Sequence, residues 1–476
     1  MLYFLQRILR RTRPTIMEPL IAVVGATGTG KSKLAVDLAS RFNGEIINGD
    51  AMQMYHGLPI ITNQIPVEER NGIPHHMIGC IGLEKEPWRV GIFKKECLRL
   101  IKDIHSRGKL PILVGGTHYY TQTVLFKDQL VDREEAGSGS ELDDSESSSP
   151  EKWPILNAPT DVLLQKLREV DPAMASRWHP NETRKIRRSL EIYFQTGRPA
   201  SEIYAEQRCQ RQIASMDENS AGGRGGLRYQ TLIFWVHADK EILNSRLDAR
   251  VDTMIEQGLM SEAERMLLYI QEKQSQGLTV DQTKGVWVSI GFKELGPYFS
   301  ALRDGSSTGE ELENLRRSCI ESIKTATRQY AVSQIKWIRN KLWKALAETR
   351  MTSRLYLLDS SNVDHWDTCV KQASERLVHS FLHNEPCPGP KSLSELARVT
   401  LEAKEAQAQK PTSGLPKCVT CDMCRKTMMN EEQWTVHVKG QGHKRALKAA
   451  AKRAEREEFL RKRESLKNTQ SSANGN

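Results

Sequence analysis

The chain has 476 residues, which is too long for one ordinary hydrophobic core and predicts about two or three folded units joined by linkers. A net charge of +10 favours a polyanionic partner, although charge alone is weak evidence for nucleic acid, and 38% hydrophobic residues predict some disordered length. Nine cysteines, an odd number spread over a long chain, are not typical of a secreted disulfide framework and favour a reducing compartment. No apolar run is long enough to cross a membrane.

Residues 1–16 combine apolar side chains with four arginines, and no acidic residue precedes Glu18. This composition is typical of a mitochondrial presequence, and a basic, frayed extension is the alternative. Met17 lies just before the first predicted strand, so a second start there would produce a form without the presequence. We therefore expect a mixture of mitochondrial protein and cytoplasmic or nuclear protein.

The first strong motif is Gly25–Ser32, which fits the P-loop pattern G-x-x-x-x-G-K-[ST] without a mismatch. It follows an apolar run at 20–24 and precedes apolar residues at helical spacing, which is the strand–loop–helix context of a phosphate site. Its glycines let successive N–H groups point inward, the Lys31 ammonium adds positive charge, and Ser32 would hold Mg²⁺. A glycine-rich turn that binds nothing is the alternative. The predicted diphosphate or polyphosphate site consists of Gly25, Ala26, Thr27, Gly28, Thr29, Gly30, Lys31 and Ser32.

Two further strand ends carry candidate residues. Gly44–Asn48 is a predicted strand, and Asp50 follows its carboxyl end, where α/β sheets place their chemistry. An aspartate that caps the next helix is the alternative. Leu110–Val114 is another predicted strand, and the two glycines and Thr117 that follow it indicate backbone close to a ligand.

The middle of the chain predicts a helical insertion at about 160–226, preceded by an acidic, serine-rich insert at 132–151 that we expect to be disordered. Helices are predicted at 161–177 and 181–194. The second carries a dense, all-positive cluster, for which a solvated face is the alternative to contact with a phosphate backbone. The cluster consists of Arg184, Lys185, Arg187 and Arg188 around Ile186.

The other predicted elements complete a parallel α/β sheet in residues 17–382. They are a loop at 64–79, helices at 89–105, 239–247, 251–270, 283–295, 310–346 and 364–382, and strands at 231–236 and 354–359. His75 and His76 are adjacent, so they point in different directions, which favours positioning or packing over a shared metal ion. A linker that could hold one helix is predicted at 383–416.

The second strong motif lies at 417–446, where Cys421-x₂-Cys424-x₁₂-His437-x₅-His443 has the spacing of a structural Cys₂His₂ zinc site. Two thiolates from a knuckle and two imidazoles from one helix can complete a tetrahedron around Zn²⁺. Cys418 competes for the same role, but its interval to the first histidine is too long. The basic tail at 447–476 is predicted to be helical, and beside a zinc finger it favours contact with nucleic acid over a solvated helix.

Eight segments, in their order along the chain, resemble the motifs of tRNA dimethylallyltransferases, also called tRNA isopentenyltransferases. They are GATGTGKS, INGDAMQMY, GIPHHMIG, PILVGGTHYY, TRKIRRSLEIYFQTGRPASEIY, LDARVDTMIEQGLMSEA, GVWVSIGFKE and ATRQYAVSQIKWIRN. The resemblance covers about residues 19–346, and the finger is similar to the matrin-type finger of eukaryotic members. The family often has Ser-Asp-Ser where this chain has Gly49-Asp50-Ala51, so hydroxyl contacts there are lost or replaced.

The resemblance implies transfer of a dimethylallyl group from dimethylallyl diphosphate to the exocyclic amine (N6) of the adenosine immediately 3′ of the anticodon in tRNA. It implies that Asp50 accepts a proton from the amine while Lys31 and Arg246 neutralise the departing diphosphate. Thr117 matches the family threonine that approaches the bridging oxygen, and Gln53 would present its amide to the flipped-out base. The residues expected to contact the anticodon stem-loop are Asp50, Ala51, Met52, Gln53, Thr117, Arg184, Lys185, Ile186, Arg187 and Arg188.

Three alternative functions remain. A small-molecule kinase explains the P-loop but leaves the finger and the basic helix without a role. An adenylate isopentenyltransferase uses the same donor, but its mononucleotide acceptor needs no basic finger. A nucleic-acid-binding protein with a vestigial P-loop is opposed by the intact Lys31, Ser32 and Asp50. Nothing in the sequence indicates an obligate dimer, so we expect a monomer.

Overall fold

The computed structural model describes residues 18–127, 153–206, 209, 226–305, 308–408, 419–424, 426–428, 431–453 and 455–456. The chain divides into two compact units, one formed by Met1–Asp132 with Gln210–Lys410 and the other by Arg133–Cys209 with Pro411–Asn476. The predicted presequence and acidic insert lie outside the described residues. No helix within the described ranges has both the length and the apolar character needed to cross a membrane.

The first unit is built on a parallel sheet whose strands are β1 Pro19–Gly25, β2 Gly44–Asn48, β3 His75–His76, β4 Leu110–Gly115, β5 Gln230–His237 and β6 Leu355–Asp359. The six strands are ordered β3-β2-β4-β1-β5-β6, and every neighbouring pair is parallel. Helices cover both faces, so β1 is apolar and buried along almost its whole length instead of alternating in polarity. The predicted parallel α/β core is confirmed.

The helices of the two units, in chain order, are α1 Lys31–Arg41, α2 Val90–Ser106, α3 His118–Leu125, α4 Thr160–Val170, α5 Pro172–Arg177, α6 Thr183–Thr196, α7 Lys240–Glu256, α8 Leu259–Ser275, α9 Phe292–Asp304, α10 Gly309–Trp337, α11 Trp343–Glu348, α12 Ala373–Leu382, α13 Glu395–Ala408 and α14 Glu431–Lys439. Residues 200–206 and 441–453 are also helical. Helices α1 and α12 bury their apolar residues on one face of the sheet. Helices α2, α3 and α11 do so on the other face. A π-helical turn, Ile338–Leu342, joins α10 to α11.

Several predicted boundaries in the first unit are wrong because glycines, not changes in polarity, determine them. Helix α7 continues through 248–250, where a break was predicted, and the chain turns instead at Gly258, whose φ is 109°. The helix predicted at 283–295 is a short 3-10 turn, Gly285–Val288, and α9 begins only after Gly291, whose φ is 111°. Helix α13 lies in the predicted linker, yet it packs on the core of this unit through buried alanine and leucine side chains.

The loop predicted at 64–79 contains a short edge strand, β3, that pairs with β2. The two histidines of β3 make separate contacts. His76 Nε2 lies 2.7 Å from Glu45 Oε2, and His75 Nδ1 lies 2.8 Å from the Ile73 carbonyl oxygen. The expectation that these histidines serve packing and positioning agrees with these contacts.

The second unit contains the predicted helical insertion between β4 and β5. Helices α4 and α6 pack together, and Leu167 and Leu190 are fully buried. The single helix predicted at 161–177 is divided at Pro172, which lacks an N–H and opens α5. Asp171 caps that helix by accepting a hydrogen bond from the Met174 N–H at 3.0 Å. The same unit holds an antiparallel hairpin, β7 Val419–Cys421 and β8 Lys426–Met428, followed by α14.

Candidate active site

The P-loop connects β1 to α1 at the carboxyl edge of the sheet. Gly28 and Gly30 have φ values of 82° and 90°, in the left-handed region that residues with a Cβ rarely adopt. Helix α1 begins at Lys31, so the loop ends at the positive end of the helix dipole. A loop of this conformation directly before a helix is suited to hold an anion.

A side chain at Gly30 would collide with Trp366, because two ring carbons lie 2.6 Å from the position of a Cβ. We expect Gly30→Ala to lower the free energy of unfolding by more than the about 1–2 kcal/mol that left-handed backbone costs alone. It should also weaken binding of inorganic diphosphate. Denaturant unfolding and calorimetric titration measure the two effects. Gly108→Ala is the matched control, since Gly108 also has a positive φ, 68°, but open space around a Cβ; equal losses of stability would contradict the collision.

Lys31 folds back toward the loop, and its Nζ donates a hydrogen bond to the Ala26 carbonyl oxygen at 2.6 Å. Burial lowers the pKa of Lys31 to about 8; the Asp50 carboxylate opposes this shift and the Arg250 guanidinium adds to it. A poorly solvated ammonium near a second cation gains more from a phosphate anion than an exposed one does. The loop therefore has a strong positive partner for a phosphate group.

Asp50 is held by the turn that follows β2. The Asp50 N–H donates to Asn48 Oδ1 at 2.9 Å, and the Met52 N–H donates to Asp50 Oδ1 at 3.1 Å. Burial raises the pKa of Asp50, while the Met52 N–H and the Lys31 ammonium oppose that rise. One carboxylate oxygen thus caps the following turn, which is the role predicted from the sequence as the alternative to chemistry for Asp50. A carboxylate with a raised pKa is also a stronger base, which suits proton abstraction.

The segment after β4 links the Asp50 turn to α10. The Ala51 N–H donates to Thr117 Oγ1 at 3.1 Å, so the two predicted strand ends meet. Gln334 of α10 donates from Nε2 to the Gly116 carbonyl oxygen at 3.0 Å and accepts the Thr27 N–H at Oε1 at 2.8 Å. Gln334 is not among the site residues predicted from the sequence. Its only signal was membership of the segment ATRQYAVSQIKWIRN.

The two arginines of α7 have different partners. Arg246 donates from Nη1 and Nη2 to the carbonyl oxygens of Ser360 and Ser361, at 2.7 and 2.8 Å. Arg250, one turn later, donates from Nη1 to Thr27 Oγ1 in the P-loop at 3.3 Å. Burial lowers the pKa of Arg250. The structure therefore places Arg250 at the phosphate loop, whereas the leaving-group role was predicted for Arg246.

The residues predicted to contact tRNA lie in both units. In the first, the 3-10 turn Met52–Met54 contains Gln53, whose Nε2 donates to the Asn63 carbonyl oxygen at 2.8 Å. In the second, α6 exposes three of its four basic residues, and Lys185 pairs with Glu182 on the same face. Ile186 is fully buried, so its side chain packs in the interior of the unit and is not presented to a ligand. The basic residues exposed on α6 are Arg184, Lys185 and Arg188, and Arg187 is half-buried.

The four predicted zinc ligands converge on one point. The ligand atoms of Cys421, Cys424, His437 and His443 all lie within 4.8 Å of one another. His443 Nδ1 is 3.5 Å from both sulfur atoms, and a tetrahedral zinc ion with bonds of about 2.3 Å to S and 2.0 Å to N requires about this separation. His437 Nε2 is buried without a hydrogen-bond partner in the described chain, as a metal ligand would be. Cys418 lies outside the described residues.

A glycine-rich phosphate loop at the carboxyl edge of a parallel sheet, with a buried carboxylate beside it, defines a P-loop enzyme. Residues 53–341 match the family model of the IPP transferases. The chain belongs to this family, the tRNA dimethylallyltransferases.

Relatives and a solved structure agree with this assignment. A tRNA dimethylallyltransferase of Schizosaccharomyces pombe is 38% identical over 457 residues, which are 93% of this chain and 98% of that protein. The Homo sapiens tRNA dimethylallyltransferase is 33% identical over 433 residues, covering 90% of this chain and 86% of that protein. A crystal structure of a eukaryotic dimethylallyltransferase acting on tRNA is similar with a TM-score of 0.72 and 34% identity, and the likeness covers 93% of this chain and 100% of that one.

Proposed function

We propose that this chain transfers a dimethylallyl group from dimethylallyl diphosphate to N6 of the adenosine immediately 3′ of the anticodon in tRNA. The observation that carries the proposal is the meeting of the Asp50 turn, Thr117 and the P-loop at one edge of the sheet. Membership of the family and the names of its relatives support the assignment of dimethylallyl diphosphate as donor and of tRNA as acceptor.

In the proposed reaction, N6 attacks the donor carbon that carries the bridging oxygen, and the C–O bond breaks. The bonding electron pair leaves with the diphosphate, and the Asp50 carboxylate takes the N6 proton. Thr117 Oγ1 accepts the Ala51 N–H, which orients the hydroxyl, and the hydroxyl would donate its hydrogen to the bridging oxygen. Lys31 and the loop N–H groups neutralise the leaving diphosphate, and Arg250 adds a cation through its contact with the loop.

Mg²⁺ is proposed to accompany the diphosphate. Ser32, half-buried in the first turn of α1, offers a hydroxyl oxygen, and diphosphate oxygens are the other hard ligands that Mg²⁺ prefers. When bound, the ion would supply further charge neutralisation to the leaving group.

Two surfaces of the second unit are proposed to bind tRNA. The exposed basic residues of α6 would contact backbone phosphates and splayed loop bases of the anticodon arm. The finger and the helix at 441–453 add Lys444, Arg445, Lys448, Lys452 and Arg453, which favour contact with the tRNA body. Binding through both surfaces would depend strongly on salt. Removal of the adenine from the loop stack would let N6 reach Asp50, with Gln53 beside the base.

Zinc is proposed to fold the finger, since so short a segment has few apolar residues to form a core. We expect Cys421→Ser to unfold only the finger, which should weaken binding of whole tRNA while activity on a minimal stem-loop remains. Affinity and turnover with the two RNAs measure this separation. Cys418→Ser is the matched control and should change neither. If Cys421→Ser abolishes activity on the minimal stem-loop, the finger is not an accessory module.

One assay distinguishes the proposed function from its alternatives. Purified protein is incubated with Mg²⁺, labelled dimethylallyl diphosphate and an anticodon stem-loop RNA, and the RNA is digested for nucleoside analysis. AMP replaces the RNA to test the adenylate isopentenyltransferase, and ATP replaces the prenyl donor to test the kinase. Prenylated adenosine in the RNA supports the proposal. Transfer to AMP alone, or transfer of the terminal phosphate of ATP, contradicts it.

A mixed location is proposed from the basic, acid-free composition of residues 1–16. We expect the full-length protein to be partly mitochondrial, and a form beginning at Met17 to be cytoplasmic with a nuclear fraction. Imaging of the two fusions measures this, and identical distributions would contradict it. We further propose that the protein acts as a monomer.

A further inference from the structure

The carboxamide of Gln334 joins two loops that come from different strands of the sheet. Its Oε1 accepts the Thr27 N–H of the P-loop after β1, and its Nε2 donates to the Gly116 carbonyl oxygen after β4. Gln334 is only 4% exposed, so water does not compete strongly for either bond. The two partners are a donor and an acceptor, and a neutral amide satisfies both at once.

The backbone beside Gln334 leaves no room for a side chain. A Cβ on Gly116 would lie 2.4 Å from Gln334 Nε2 and 3.0 Å from Asp50 Oδ2. The amide and the carboxylate of the proposed base therefore approach the same backbone carbon. A shift of Gln334 would disturb the segment against which Asp50 rests.

A second contact connects α10 to this segment one helical turn earlier. Burial raises the pKa of Tyr330, and the neighbouring Thr117 and Gln334 side chains oppose that rise. Thr117 in turn accepts the Ala51 N–H, which directly follows Asp50. Helix α10 is thus linked through side chains to the phosphate loop, the threonine and the turn of the base.

We propose that Gln334 is a positioning residue that couples the shape of the P-loop around the diphosphate to the placement of Thr117 and Asp50 for prenyl transfer. This inference rests on the proposed function, because it assigns the coupling to the leaving group and base of that reaction. Displacing reacting groups by about 1 Å costs about 10²-fold in rate, so a side chain that fixes their separation has a large effect without touching the substrate.

The test compares Gln334→Met, which can neither donate nor accept these bonds, with Gln334→Glu. We expect Gln334→Met to lower kcat by about 10²-fold at every pH, with stem-loop RNA affinity unchanged. Ionised, the glutamate still accepts the Thr27 N–H but repels the Gly116 carbonyl oxygen; protonated, it can donate to that oxygen again. The activity ratio of the Glu variant to the Met variant should therefore rise about tenfold as the pH falls. A purely structural role would leave that ratio constant.

Titration with inorganic diphosphate tests the coupling without turnover. The proposal predicts about tenfold weaker diphosphate binding for Gln334→Met and a pH-dependent weakening for Gln334→Glu. Gln329→Glu, an exposed position on the same helix, is the matched control and should behave as wild type. Unchanged diphosphate affinity in both Gln334 variants, or a constant activity ratio, overturns the proposal. Wild-type protein that binds diphosphate but transfers no prenyl group would contradict the proposed function alone, and the titration then decides the coupling.

Discussion

Replacing Asp50 with asparagine is expected to lower kcat for prenyl transfer by about 10²–10⁴-fold while tRNA affinity stays nearly unchanged. The amide has the same shape and its oxygen can still accept the Met52 N–H, so the turn is kept. It cannot take the N6 proton, which removes the base from the reaction. Single-turnover kinetics with an anticodon stem-loop and an equilibrium binding measurement separate the two effects.

The pH dependence measures the same role in a second way. Burial raises the pKa of Asp50, and the protonated carboxyl cannot act as a base, so kcat/KM should fall as the pH drops through that raised value. This acid limb should disappear in Asp50→Asn. Asp103→Asn is the matched control, because it removes a solvent-accessible carboxylate of α2 that pairs with Arg107, the residue after the helix. Wild-type turnover in Asp50→Asn would exclude Asp50 as the base.

The second large effect is expected from Lys31→Ala, which should lower kcat/KM for dimethylallyl diphosphate by about 10²–10³-fold, as does loss of one group that stabilises a developing oxyanion. Binding of the diphosphate and turnover should weaken together, because the ammonium lies at the loop both before and during departure of the leaving group. Calorimetric titration with inorganic diphosphate and steady-state kinetics measure the two quantities.

The sign of the pH effect on diphosphate binding follows from the lowered pKa of Lys31. Below about pH 8 the ammonium is charged in the free protein, and as the pH rises through that value the charge and its attraction for diphosphate are lost. This loss of affinity should be absent from Lys31→Ala. Lys33→Ala is the control, since it removes the same charge two residues later from an exposed side chain near the Trp366 ring. If Lys31→Ala and Lys33→Ala lost diphosphate affinity equally, the effect would come from the net charge of the protein and not from a contact of Lys31.

Short motifs were predictable because their geometry is local. The P-loop lies within eight consecutive positions, where glycines permit the positive φ values that the structure has at Gly28 and Gly30. The zinc cluster lies in one short stretch of the chain, where a knuckle holds the two cysteines. The histidines lie on two helices and not on one as predicted, since His437 is in α14 and His443 is in the helix at 441–453. The ligands could still be chosen from spacing before their atoms were seen to converge. Continuous apolar runs identified β1, β4 and β5, because strands buried on both faces cannot alternate in polarity.

Features that depend on distant packing were not predictable. The edge strand β3 has two residues and too short a pattern to recognise, and it forms only because β2 offers it a partner. The break predicted within α7 was wrong because Asp248, Ala249 and Arg250 carry no signal for the end of a helix, whereas Gly258 does.

The sequence alone therefore determined that Gly25–Ser32 forms a P-loop, that four particular residues can hold a metal ion, and that a parallel sheet supports the site. Each of these features depends on residues that are close together along the chain. Only the tertiary structure decided which arginine of α7 reaches the loop. Arg246 and Arg250 lie on one helix face. Because α7 packs beside the end of β6, Arg246 donates hydrogen bonds to the carbonyl oxygens that follow this strand, and Arg250 contacts the P-loop. It also decided the role of Gln334, because its partners are 307 and 218 positions away and only the folded core brings them within hydrogen-bond distance.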